Sequence, residues 1–225
     1  MATPETFSNQ NFHALCDELG TRDADLNAIL KTHGYPPMWT RLNSFETLVH
    51  FVLEQQVSLA SALAALHQLK EKTGNLTPVN LLKLSDEEMR ACYVSRQKMG
   101  YIRGLAQAIT NNELDLAALE TLPDDEVRKK LIAYKGIGNW TADVYLMFVL
   151  QKTDIYPIGD IAAVNALKRV KQLAKDADKT LIWEIAEQWK PYRTIATMIL
   201  WHHYLSAPIK REKAATIVAL PKDLP

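Results

Sequence analysis

Cysteine is nearly absent. Cys16 and Cys92 stand far apart in 225 residues, without CxxC spacing, so neither a zinc site nor a four-cysteine iron–sulfur cluster can be built from them. Both are expected to be reduced thiols in a cytoplasmic protein. An excess of one charge is lacking too, since 26 Lys and Arg balance 26 Asp and Glu. The global basic bias of many nucleic-acid binders is therefore missing. That balance does not exclude such a partner, because phosphate affinity depends on where cations and backbone amides sit. No apolar run approaches the roughly 20 residues that span a bilayer. Met1-Ala2-Thr3-Pro4-Glu5 opens without the basic-then-apolar pattern of a leader. The expectation is a chain neither secreted nor membrane-embedded. Alternating strand patterns, low-complexity linkers and fixed-period repeats are also missing.

What is there is helical periodicity, in a chain whose 48% hydrophobic and 23% charged residues suit a folded protein. Residues 11–20 and 23–33 carry apolar residues at helical spacing, and Gly20 and Gly34 follow as helix stops. Tyr35-Pro36-Pro37 forces a loop. Ser44 caps a long apolar segment, 45–57, continued by the alanine-rich stretch 58–70. Ser85-Asp86-Glu87-Glu88 has capping-box form. Further helices are expected at 96–111, 123–134, 140–150, 161–173, 179–189 and 192–205, with a loose tail after Ser206. The fold class is all-α.

The most specific segment is Leu131-Ile132-Ala133-Tyr134-Lys135-Gly136-Ile137-Gly138-Asn139-Trp140-Thr141-Ala142. Two glycines around one apolar residue, between helical patterns, make a tight hairpin in which glycine tolerates positive φ and close backbone approach. The N–H groups opening the next helix then point outward and can hold a phosphate without many lysines. An ordinary helix–turn–helix corner would explain Gly-x-Gly alone.

With its flanks, this stretch resembles the hairpin of the helix-hairpin-helix DNA glycosylases. Asp154-Ile155-Tyr156-Pro157-Ile158-Gly159-Asp160-Ile161 follows it, and Asp160 falls where the family's catalytic aspartate belongs. Upstream, Gln55-Gln56-Val57-Ser58 resembles the signature of the DNA-3-methyladenine glycosylase branch. Downstream, Trp189-Lys190-Pro191-Tyr192-Arg193 and Leu200-Trp201 match its final helices. The resemblance runs from about Phe45 to Tyr204.

It implies a two-lobed helical fold with a DNA-facing cleft between the lobes. One lobe would hold residues 1–43 and 151–210, the other residues 44–150 with the hairpin 134–138. The short amino-terminal segment is expected to leave no room for the β domain that some relatives carry there. Asp160 would be the catalytic carboxylate and is also a natural N-cap; the two roles are compatible, since a helix's positive end favours an anion. Such an anion can stabilise an oxocarbenium-like sugar and activate water. Trp201 would line the base pocket; Trp140 and Tyr145 are further pocket candidates, for which plain core packing is the competing role, as it is for Trp183. Gln56 would fill the gap left by a flipped nucleotide, or cap a helix locally. Ser58, Lys135, Gly136, Ile137 and Gly138 complete the DNA-binding set, and carbonyls such as those of Tyr134 and Ile137 would hold K⁺ or Na⁺. Ser58, Lys98 and Tyr101 match family positions without a role legible from sequence.

Bifunctional relatives carry a nucleophilic lysine at position 140, where this chain has Trp140. The expectation is therefore a monomeric, monofunctional glycosylase excising alkylated purines from double-stranded DNA with no required cofactor. The same fold acting on uracil, hypoxanthine or ethenoadenine, or a noncatalytic DNA-binding module, are the alternatives.

Overall fold

A computed structural model of the chain describes residues 5–206, so the expected loose tail and the last residues of the 151–210 segment lie outside the described residues. In chain order the helices are α1 (Phe12–Arg22), α2 (Ala24–His33), α3 (Phe45–Glu54), α4 (Leu59–Thr73), α5 (Pro78–Leu82), α6 (Asp86–Ala91), α7 (Arg96–Thr110), α8 (Leu116–Leu119), α9 (Asp124–Ile132), α10 (Asn139–Phe148), α11 (Ile161–Val170), α12 (Lys179–Glu187) and α13 (Arg193–Ser206). Among the described residues there is no β-strand, only an isolated bridge between Thr6 and Lys152. None of these helices is long and apolar enough to cross a membrane.

The chain forms two compact units. The first, within residues 5–40 and 143–206, contains α1, α2 and α11–α13; the second, residues 41–142, contains α3–α9. The boundary falls inside α10, between Ala142 and Asp143, rather than at residue 150. The later half of α10 is buried, and Phe148 packs on Trp201, ring centroids 5.7 Å apart, which ties it to the first unit.

Two helix ends depart from expectation. Gly20 does not stop α1, which runs on to Arg22. A Cβ at Gly20 would sit 3.4 Å from Leu30 Cδ1 and 3.6 Å from Asn27 Oδ1, so this glycine lets α2 come close instead of turning the chain. The turn falls to Asp23, whose carboxylate accepts the Asp25 and Leu26 N–H groups as N-cap of α2. The long helix expected from 45 to 70 is two helices. Ser44 caps the first by accepting the Thr47 N–H, but Gln55 is extended (ψ 126°) and Gln56 is left-handed (φ 58°), and Ser58 caps α4. The end of α3 is held by a buried pair: Arg41 reaches both Glu54 oxygens, at 2.7 and 3.1 Å, and lies over the Phe51 ring.

Each unit carries one thiol. Cys16, fully buried in α1, has its pKa pushed up to about 12, first by burial and then by Asp17. Cys92, the C-cap of α6, is also buried, and burial is the main cause of its raised pKa.

Candidate functional site

In the first unit, the Pro157-Ile158-Gly159 turn delivers Asp160 to the start of α11. The Asp160 N–H donates to the Pro157 carbonyl at 2.8 Å. Its side chain turns back to cap the helix, Oδ1 accepting the Ala163 N–H at 2.7 Å and the Trp201 indole N–H at 3.2 Å. Asp160 and Trp201, far apart in sequence, are thus brought together, and each is only 4% exposed. The Trp201 ring meets Phe148 and, edge-on at 6.4 Å and 73°, Trp39. Trp39 was missed by sequence reasoning because it lies in the loop after Pro36-Pro37, where no periodicity marks a buried side. Tyr156, 3% exposed, has a hydroxyl buried without a hydrogen-bond partner. Burial first, then the Asp160 charge, raises its pKa. Tyr145 is fully buried in α10. Trp183 is partly exposed on α12, with the Arg193 guanidinium 5.2 Å above its ring. Asp154 is committed to Arg193, which donates to its carboxylate at 2.7 and 3.0 Å.

In the second unit the hairpin follows α9. Ile137 N–H closes the turn on the Tyr134 carbonyl at 3.1 Å, and Ile137 itself is buried while Lys135 is exposed. Gly136 has φ 91°, and a Cβ there would collide with the Tyr101 ring. The positive φ and close approach expected of the glycine pair hold at Gly136 and not at Gly138, where a Cβ would meet nothing within 4 Å and φ lies outside the left-handed range. Gly138 instead stands at the mouth of α10, where its carbonyl accepts the Ala142 N–H at 3.0 Å. Trp140 is half-buried in the first turn of that helix.

The Gln-Gln turn belongs to the same assembly. Gln55 Nε2 donates to the Gly136 carbonyl at 2.7 Å, with Thr141 Oγ1 at 3.4 Å. Gln56 is exposed at the tip, while the flanking caps are Gln55 for α3 and Ser58 for α4. Ser58 therefore has a structural duty, accepting the Ser61 N–H at 3.2 Å. Lys98 also reaches the turn, a contact sequence reasoning could not assign because its partners are backbone carbonyls.

Comparison with known proteins bears on this geometry. The chain is 28% identical over 184 residues to a putative DNA-3-methyladenine glycosylase of Bacillus subtilis, a match covering 78% of this chain and 64% of that protein's length, short of two thirds of it. Its fold matches the crystal structure of a DNA-3-methyladenine glycosidase from Bacillus halodurans with a TM-score of 0.76 at 29% identity, covering 92% of this chain and 94% of that one. The 3-methyladenine DNA glycosylase Mag1 of Schizosaccharomyces pombe, solved in complex with abasic DNA, matches with a TM-score of 0.75 at 27% identity, covering 84% of this chain and 95% of that one. The sequence pattern of the HhH-GPD superfamily base excision DNA repair proteins matches residues 49–191, which take in the Gln-Gln turn, the hairpin and Asp160. The chain belongs to the HhH-GPD superfamily of base excision DNA repair proteins.

Proposed function

We propose that the protein hydrolyses the N-glycosidic bond of alkylated purines, of the 3-methyladenine and 7-methylguanine type, in double-stranded DNA, with Asp160 as the catalytic carboxylate. The observation that carries this reading is a buried carboxylate at a helix N-terminus, held by a backbone N–H and the indole of Trp201. The positive end of α11 favours negative charge at this position.

As the bond from C1′ to the purine nitrogen breaks, its electron pair leaves with the base, and positive charge builds on the sugar. A fixed carboxylate beside it lowers the barrier without reorganising. The same group takes a proton from the water whose oxygen bonds to C1′. An alkylated purine is already cationic, so it departs neutral and needs no separate acid. Trp201, with Trp39 and Phe148 packed around it, supplies aromatic surface for such a cation, at about 0.5–2 kcal/mol per well-placed ring. Trp140 offers no amine, so the product is an intact abasic strand and no Schiff base forms.

DNA is held through main-chain N–H groups at the start of α10, where open space at Gly138 leaves room for a phosphate. Lys135 adds one charge. Hairpin carbonyls such as those of Ile137 and of Tyr134, which keeps a second lone pair beside the one that accepts the Ile137 N–H, would hold K⁺ or Na⁺ and so add positive charge beside the phosphate.

The test is release of free base from duplexes carrying 3-methyladenine, 7-methylguanine, uracil, hypoxanthine or ethenoadenine, with borohydride present in parallel. Release of the methylated purines with no trapped protein–DNA adduct is the expected result. Preference for another base overturns the substrate assignment, an adduct overturns the hydrolytic mechanism, and binding without any release overturns catalysis.

A further inference from the structure

The break between α3 and α4 is met by a side chain from another helix. Lys98, in the first turn of α7, points its ammonium at the end of α3 and donates to the carbonyls of Leu53 and Gln55, 2.7 Å each. Carbonyls at a helix end have no partner within the helix and form its negative pole, so an ammonium with three donors suits them. One turn further along α7, at the i+3 position on the same face, the Tyr101 ring lies against Gly136 of the hairpin. A single face of α7 therefore meets both the Gln-Gln turn and the hairpin, and Gln55 Nε2 joins the two through the Gly136 carbonyl.

We infer that Lys98 is a positioning residue: it stops α3 at Glu54, holds Gln56 outward in its left-handed conformation, and sets its place relative to the hairpin. The inference rests on the proposed DNA-repair reading, in which Gln56 fills the gap left by the flipped nucleotide. The apolar pattern from 45 to 70 favours one continuous helix. With the Leu53 and Gln55 carbonyls taken by Lys98, that continuation loses its acceptors, and the chain turns. Burial lowers the Lys98 pKa, as befits an ammonium withdrawn from water into a carbonyl cradle.

The experiment measures binding to a duplex containing a stable abasic analogue opposite 2-aminopurine, whose fluorescence reports a side chain entering the gap, and to the same duplex without the lesion. The proteins are wild type, Lys98→Met, Lys98→Arg, Gln56→Ala and the Lys98→Met/Gln56→Ala pair. Lys98→Met should weaken abasic-duplex binding about tenfold and abolish the fluorescence change, with lesion-free binding within about twofold of wild type. Lys98→Arg, which can still donate to both carbonyls, should recover most of the loss. In the Gln56→Ala background the Lys98→Met change should add less than about twofold, because both act through one side chain. Full multiplicative losses, or a wild-type fluorescence change in Lys98→Met, overturn the inference. If Lys98→Met does not fold, Lys98→Gln, whose shorter, neutral side chain replaces the ammonium with an amide, enters the same cycle with the same criteria. A wild type that does not prefer the abasic duplex overturns the underlying reading, and that outcome needs no variant.

Discussion

Asp23 and Asp160 lie in the same unit, each is the N-cap of a helix, and each accepts a tryptophan N–H: Trp189 Nε1 at 2.7 Å for Asp23, Trp201 Nε1 at 3.2 Å for Asp160. Their surroundings differ. Lys171 Nζ lies 2.8 Å from both oxygens of Asp23, and the group fastens α2 to the end of α11 and to Trp189. The Ala163 N–H and the Trp201 indole, which donate to Oδ1 of Asp160, are neutral, and the aromatic side chains of Trp201 and Tyr156 stand beside it. On the proposed function, the same residue in the same local motif is structural in one place and chemical in the other, and the neighbours would decide which.

Substitution at the two aspartates tests this most directly. Asp160→Asn keeps shape and the hydrogen bonds from Ala163 and Trp201 but removes the charge, so single-turnover base release should fall about a thousandfold, while thermal stability changes by less than about 1 kcal/mol. Retained activity would make Asp160 a cap and nothing more.

The glycine pair sharpens the same lesson with a smaller effect. Gly136→Val meets both a left-handed φ and the Tyr101 ring and should cost about 3 kcal/mol or prevent folding. Gly138→Ala has open space and should leave stability within about 0.5 kcal/mol. In DNA titrations its deficit should nevertheless exceed that of Lys135→Ala, which loses one phosphate contact and lowers the salt slope by about 1. A larger loss from Lys135→Ala would mean that the hairpin binds by side-chain charge.

Asp23→Ala should cost about 2 kcal/mol, from a lost cap and a lost charged hydrogen bond, without lowering the rate of excision by the folded protein. A pH signature accompanies it. Burial alone would raise the Asp23 pKa, but hydrogen bonds from Lys171, Trp189 and the Leu26 N–H outweigh burial and carry it below the ordinary 3.8. Stability from a depressed carboxyl is present above its unfolded value and is lost as pH falls through the folded one. The stability gap between wild type and Asp23→Asn should therefore hold above pH 3.8 and narrow below it; a constant gap throughout would remove the charge pairing from the account.

The sequence made the long helices legible because their apolar spacing and caps agree, as at Ser44 and the Ser85–Glu88 capping box. Its errors arose where a distant group overrides a local signal: Gly20 is small because of Leu30, and α3 stops because of Lys98. Helices α5 and α8, of five and four residues, are too short to show a period. Asp160, Trp201 and the hairpin were singled out by family resemblance; Trp39 and Tyr156 needed the fold, since neither a loop aromatic nor an orphaned hydroxyl has a one-dimensional signature.

The two thiols bring a consequence of a kinetic kind. A cysteine sealed from solvent and held protonated reacts with an alkylating reagent only after its surroundings open. Since Cys16 belongs to one unit and Cys92 to the other, their separate labelling rates in the native protein time the opening of each unit independently. Equal opening free energies would mark one cooperative molecule, and unequal ones would mark two.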